Sequence, residues 1–182
     1  MYKRLLVGTL SLFSSFSVLA GSLTLTSEDI KNGESMSKAQ EFTGFGCEGG
    51  NTSPHLTWSN PPQGTKSFAL TVFDRDAPTG SGWWHWQVVN IPANVQELAQ
   101  GAGSSTNTMP KGSQQIENDY GIKEFGGACP PVGHGVHHYT FKLHALKVEK
   151  LELPENASSA LAGFMINANT IESATIEALY ER

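Results

Sequence analysis

Two cysteines are the whole complement of this 182-residue chain. Neither has a second cysteine two to four residues away, so a cysteine-ligated metal site is not expected. Charged residues make up only 16% of the sequence, too few to keep a chain unfolded, and the apolar content suffices for a packed core. Basic residues are outnumbered, 12 against 17 acidic, for a net charge of −5. A field of that sign repels nucleic acid and anionic membrane surfaces, which excludes nucleic acid as an expected partner. Past the N-terminus no apolar run approaches the roughly 18–20 residues of a membrane span, so none is expected. No internal repeat marks a solenoid or propeller. A Gly-x-Ser-x-Gly elbow, a His-Glu-x-x-His helix, a phosphate-cradling Gly-x-x-x-x-Gly-Lys loop and a dinucleotide fingerprint are all missing. Their joint absence argues against an enzyme and implies no cofactor.

What is present begins with a leader. Lys3 and Arg4 precede an apolar run from Leu5 to Phe13 that continues to Val18-Leu19-Ala20. That order of charge, apolar stretch and small-residue exit predicts a cleaved signal peptide over residues 1–20. Its loss takes the balance from −5 to −7 and leaves one domain over 21–182. Gly21, not cysteine, follows the cleavage point, so no lipid-bearing cysteine is expected there. In a Gram-negative source this places the protein in the periplasm, with release outside the cell as a further option. In such a compartment, Cys47 and Cys129 are expected to form a disulfide, with two separate buried thiols as the alternative. The long loop it would close is worth at most about 4–5 kcal/mol in the loop-entropy model.

Alternation and β-formers predict strands over 22–26, 67–73, 84–91, 137–146 and 174–180, the last with Ile176, Ala178 and Tyr180 on one face. One helix is expected over 156–168, capped by Asn156 or Ser158, with Leu161, Phe164, Met165 and Ala168 at helical spacing. Gly101 to Gly127 reads as one long irregular excursion, and a loop of that length in a compact domain is usually functional. The fold class is mainly β, with one or two short helices.

Three segments concentrate the chemistry. Asp74, in Asp74-Arg75-Asp76-Ala77-Pro78, falls in phase with Leu70 and Val72, where a carboxylate must find partners. An Asp turn before proline is the other reading, favoured for Asp76 and open for Asp74. In Trp83-Trp84-His85-Trp86, extended geometry pairs Trp83 with His85 on one face and Trp84 with Trp86 and Val88 on the other. On that pattern alone, His85 reads as a core histidine bonded to backbone. In the third segment His137, Tyr139, Phe141 and Leu143 share a face, and His138 turns to solvent. A metal cluster of His134, His137 and His138 is disfavoured because alternation parts His137 from His138.

These segments, with Gly49-Gly50-Asn51-Thr52-Ser53-Pro54 upstream and Gly126-Gly127-Ala128-Cys129-Pro130-Pro131 downstream, resemble the phosphatidylethanolamine-binding protein family. The likeness is to its bacterial Raf-kinase-inhibitor-like (YbhB/YbcL-type) branch and its exported members, from about residue 22 onward. It implies a large central antiparallel sheet, a smaller second sheet and a few helices. It also implies a cavity for phosphate or phosphorylated headgroups built by Asp74, Ala77, Pro78, Trp83, His85, Pro130, His137 and Tyr139.

The sequence departs from the family's pattern in three places. Arg75 replaces a usual proline and is expected to add a cation near the rim. Phe125 stands where many relatives have tyrosine, so a ligand-facing hydroxyl is expected to be lost. The closing C-terminal helix of mammalian members has no counterpart, which suggests a more open mouth. The leading reading is an exported binding protein for a small anionic or phosphorylated ligand, without metal, whose affinity rises as pH falls through about 6–7. A protein-interaction or inhibitor module acting through the rim is the alternative. An enzyme using Asp74 and His85 as an acid–base pair is a distant third. Oligomeric state, a homodimer included, is open.

Overall fold

The structure is a computed structural model that describes residues 21–104 and 108–182. The expected leader lies outside the described residues. Among the described residues, ten strands and one α-helix follow in chain order: β1 Thr24–Thr26, β2 Thr43–Gly44, β3 Cys47–Glu48, β4 Leu56–Ser59, β5 Ser67–Asp74, β6 Trp83–Pro92, β7 Glu97–Leu98, β8 Gln114–Gln115, β9 His137–Leu146, α1 Ser159–Asn169 and β10 Thr170–Tyr180. The expected strands are all present, the last one starting earlier than its pattern suggested. Leu56–Ser59 was not anticipated, because only five residues lie between Pro54 and Asn60.

Strands β10-β9-β5-β6-β8 form one five-stranded sheet, antiparallel throughout, and β1-β4-β7 form a smaller sheet. The main core fills the space between them. Phe68, Leu70, Val72, Trp86, Val88, Phe141 and Leu143 from the large sheet meet Leu25, Leu56, Trp58 and Leu98 from the small one. The opposite face of the large sheet carries α1 over Ala69, Val89 and Leu146.

Two expectations fail here. The helix buries Ser159, Ala162 and Ile166, and leaves Leu161 and Phe164 exposed. Small residues on the inner face let the helix approach the sheet, so its apolar spacing misreports the buried side. Ser158, not Asn156, caps it, accepting from the Leu161 N–H. The second failure is Trp86, which lies on the core face with Val72 and not beside Trp84. The register runs Val72↔Trp86 and then Phe73↔Trp84, leaving His85 as the extra residue of a β-bulge.

Cys47 and Cys129 are joined in a disulfide spanning 82 residues of sequence. It links β3 to the segment before Pro130-Pro131. Arg182 adds a second tie between the same two regions, donating from Nε to the Pro130 carbonyl and from Nη1 to that of Gly46.

Candidate functional site

Three neighbouring strands end together and set one row of side chains. Asp74, last in β5, lies opposite Tyr139 of β9 and Trp83 of β6. Because strand side chains repeat every two residues, His137 joins Tyr139 on the same face. The bulge in β6 brings His85 to that face as well, a common way of re-aiming a side chain beside a functional site. A cavity of about 210 Å³ opens over this row.

All eight residues named from the family resemblance line that cavity: Asp74, Ala77, Pro78, Trp83, His85, Pro130, His137 and Tyr139. Phe45, Thr79, Tyr120, Cys129 and Pro131 line it too and were missed. Tyr120 sits in the long excursion, whose length was the one signal pointing to it. Phe45 stands between two glycines beside Cys47, with its backbone in the left-handed region at φ 52° and its side chain 75% exposed. An aromatic residue held in that region is uncommon, and such positions cluster at binding sites.

Asp74 serves both roles left open for it. Its Oδ1 accepts the Asp76 N–H at 2.8 Å, an Asx turn, while Oδ2 accepts from His137 Nδ1 at 2.6 Å. On its far side His137 Nε2 meets His134 Nδ1 at 2.7 Å, so a proton-sharing chain runs from buried Asp74 to exposed His134. His138 turns away and is half-buried rather than solvent-facing, because its ring and backbone N–H both bond Asp76. Burial works against ionisation of Asp76, but the bonds from His138 hold its carboxyl below the usual range. Among the described residues no three histidine, cysteine or acidic side chains gather to hold a metal.

His85 is fixed differently. Its Nδ1 lies 2.8 Å from the Gly126 carbonyl and 3.1 Å from that of Gly127, so the proton must sit on Nδ1. The pairing of Asp74 with His85 is therefore not the one formed. Glycine is required at these two positions. A Cβ on Gly127 would meet the Gln40 carbonyl at 2.3 Å, and one on Gly126 would meet the Tyr120 ring at 2.4 Å. Burial holds the His85 imidazole below the ordinary histidine range, against the opposing pull of the Gly126 carbonyl and the Asp74 charge. With the proton on Nδ1, a neutral His85 keeps a lone pair on Nε2, an acceptor rather than a donor.

Among the described residues, three buried polar atoms of the lining side chains make no well-formed hydrogen bond: Trp83 Nε1, His85 Nε2 and Tyr139 Oη, the last under the influence of the Asp74 carboxylate. The rings of His85 and Tyr139 lie 5.1 Å apart, and those of Tyr139 and His137 6.5 Å apart. Burial and the Asp74 charge push the Tyr139 phenol upward, so it stays protonated and able to donate. Tyr120 is also raised by burial, and its hydroxyl donates to the Gly127 carbonyl at 3.1 Å.

Two expectations about departures from the family pattern are corrected. Arg75 points away from the cavity, since alternation places it opposite Asp74, and it bonds Glu177. The cation near the rim is instead Arg182, bonded to the Pro130 carbonyl. Phe125 is buried in the core edge-on to Trp86, so no ligand-facing position is lost there.

The comparisons with known proteins agree with this geometry. The sequence model described as Phosphatidylethanolamine-binding protein matches residues 26–181. The UPF0098 protein YbcL of Escherichia coli (strain K12) is 56% identical over 180 residues, covering 98% of each chain. The UPF0098 protein YbhB of the same organism is 45% identical over 158 residues, covering 87% of this chain and 99% of that protein. The crystal structure of E. coli YbcL, described as a new member of the mammalian PEBP family, superposes with a TM-score of 0.86 over 89% of this chain and 99% of that one, at 56% identity.

Proposed function

The chain belongs to the phosphatidylethanolamine-binding protein family, and on that premise we propose that it is an exported, non-enzymatic binding protein whose cavity takes a phosphate or a phosphorylated headgroup. Family membership supports a small-ligand binding protein in general. The observation that carries the finer reading is the convergence on one small cavity of Trp83, Tyr139 and His85, whose Nε1, Oη and Nε2 make no well-formed hydrogen bond among the described residues. Buried polar atoms left unpaired are costly, and a ligand that pairs them removes the cost. Trp83 and Tyr139 donate to phosphate oxygens. Neutral His85 accepts, which suits a phosphate oxygen that still carries its proton. Asp74 cannot contact a bare anion favourably. Its role in this reading is to hold and orient His137 through the Oδ2–Nδ1 bond.

Anion affinity therefore rises as pH falls. The sequence-based window of about 6–7 is too high for the His85 contribution, because burial delays its protonation to a lower pH. Calorimetric titration with phosphoethanolamine from pH 8 down to pH 5 tests the reading. A single site with affinity increasing toward acid is expected, and a flat profile or absent binding contradicts it.

Export is supported by the Lys3-Arg4 leader and by a disulfide, which persists in oxidising compartments. Mass spectrometry of protein from a periplasmic extract is expected to find a chain starting at Gly21.

One feature favours the rim as a protein-binding surface. Phe45 and Val132 are 75% and 78% exposed beside the lining residues Pro130 and Pro131. In that second reading, an apolar partner segment sits on the rim, and phosphoethanolamine competes with it.

A further inference from the structure

The reverse face of the five-stranded sheet holds a second cavity, of about 300 Å³, between the strands and α1. We propose that this cavity binds a sugar acid, its ring laid against Trp84 and Phe73 and its carboxylate on Lys142. The aromatic wall is a cross-strand pair with ring centroids 4.5 Å apart. Gly163 on the helix stands over this wall, where a Cβ would lie 3.9 Å from the Trp84 ring, so the helix roofs the aromatic pair without pressing on it. Flat aromatic faces of this kind suit the apolar face of a sugar ring, and a cavity of this size lies at the lower end of the ligand-pocket range.

The polar lining is mixed, and the mixture selects the ligand. Lys142 is half-buried and, among the described residues, has no carboxylate partner, whereas Arg75 at the edge is held by Glu177. Thr71, directly opposite Lys142 in the strand register, is only 6% exposed, yet among the described residues its hydroxyl has no partner. His144 is also buried. The Thr170 hydroxyl is donated to the Ile166 carbonyl, so it accepts from His144 Nδ1–H at 3.1 Å. That leaves His144 Nε2 as an acceptor, and burial together with Lys142 pushes the imidazole down to about 4, so it stays neutral. A lone pair beside one cation free of a carboxylate partner, with Arg75 neutralised by Glu177, disfavours a fully ionised phosphate. It favours a ligand with one anionic group and neighbouring hydroxyls, which both donate and accept.

This inference is independent of the first cavity, and the test keeps the two apart. D-glucuronate titrated into the full mature protein is followed by the indole N–H resonance of Trp84. Saturable movement is expected, with D-glucose binding about tenfold or more weakly because it lacks the charge-assisted contact. Lys142→Ala is expected to weaken glucuronate to the same extent. Thr71→Val should weaken it severalfold with the rest of the spectrum unchanged, and Tyr139→Phe should leave it unaltered. An unmoved Trp84 signal overturns the assignment. So does a titration that both Lys142→Ala and Thr71→Val leave intact, or tighter binding of inorganic phosphate than of glucuronate at this site.

Discussion

Replacing Tyr139 by phenylalanine separates a hydroxyl kept for a ligand from one kept for the fold. The ring is fully buried and packs edge-on to His85 at 5.1 Å, contacts that phenylalanine preserves. Among the described residues the hydroxyl makes no well-formed hydrogen bond and lies under the influence of the Asp74 carboxylate. An unsatisfied buried hydroxyl costs about 1–3 kcal/mol, so its removal leaves the free protein equally stable or more stable. In a domain of this size each kcal/mol moves Tm by about 2–4 °C, and the expected shift is zero to several degrees upward. Binding moves the other way. A hydrogen bond to a charged phosphate oxygen is worth about 1.5–3 kcal/mol, so phosphoethanolamine affinity should fall about ten- to hundredfold. Differential scanning calorimetry and isothermal titration on the same preparation read both numbers. A lowered Tm with unchanged affinity would refute the reasoning, because the hydroxyl would then be serving the fold.

Asp74→Asn removes the only carboxylate among the described residues that line the cavity. A charge about 6 Å away acts at about 3 kcal/mol in an effective dielectric of about 20, so the variant should bind phosphoethanolamine more tightly than wild type near pH 8. An unchanged affinity in calorimetric titrations would count against a role for the Asp74 charge. His144 supplies an acid-lability test. Its folded-state value of about 4 lies below the ordinary 6.5, so the unfolded state takes up the proton first. Stability present above pH 6.5 is thus lost as pH falls toward 4, by about 3 kcal/mol. His144→Asn, which retains a donor for Thr170, should flatten that part of the urea-unfolding profile. Cys47→Ser opens a loop of 82 residues that includes the rim. It is expected to cost at most about 4–5 kcal/mol in chemical unfolding and to weaken phosphoethanolamine binding as the Phe45 segment loosens.

Much of the framework was legible from local pattern. Alternation located the long strands, and strand phase alone turned Asp74, His137 and Tyr139 toward one face, because a period of two is enforced by the pleat. The phase argument set His85 beside Trp83, as found, and broke at Trp86, which a one-residue bulge sends to the core. Nothing local in Trp83-Trp84-His85-Trp86 signals an inserted residue, since the bulge is defined only by what β5 places opposite it. Tyr120 and Phe45 escaped for a related reason. They sit in loops without periodicity, and they reach the cavity through long-range ties, Tyr120 by stacking on Phe42 and Phe45 by the adjacent disulfide. The helix face was misread because Ala162 and Gly163 favour close approach to the sheet over apolar bulk. The role of Arg182 was hidden because its partners are the backbone carbonyls of Gly46 and Pro130, remote in sequence.

A crystal structure of the mature protein grown with phosphoethanolamine at mildly acid pH tests the central claim most directly. The account predicts a tetrahedral group in the cavity with its oxygens within hydrogen-bond distance of Trp83 Nε1, Tyr139 Oη and His85 Nε2, and with the Asp74–His137 bond intact. Those three atoms bonded only to water, with the phosphate bound elsewhere or absent, would contradict it.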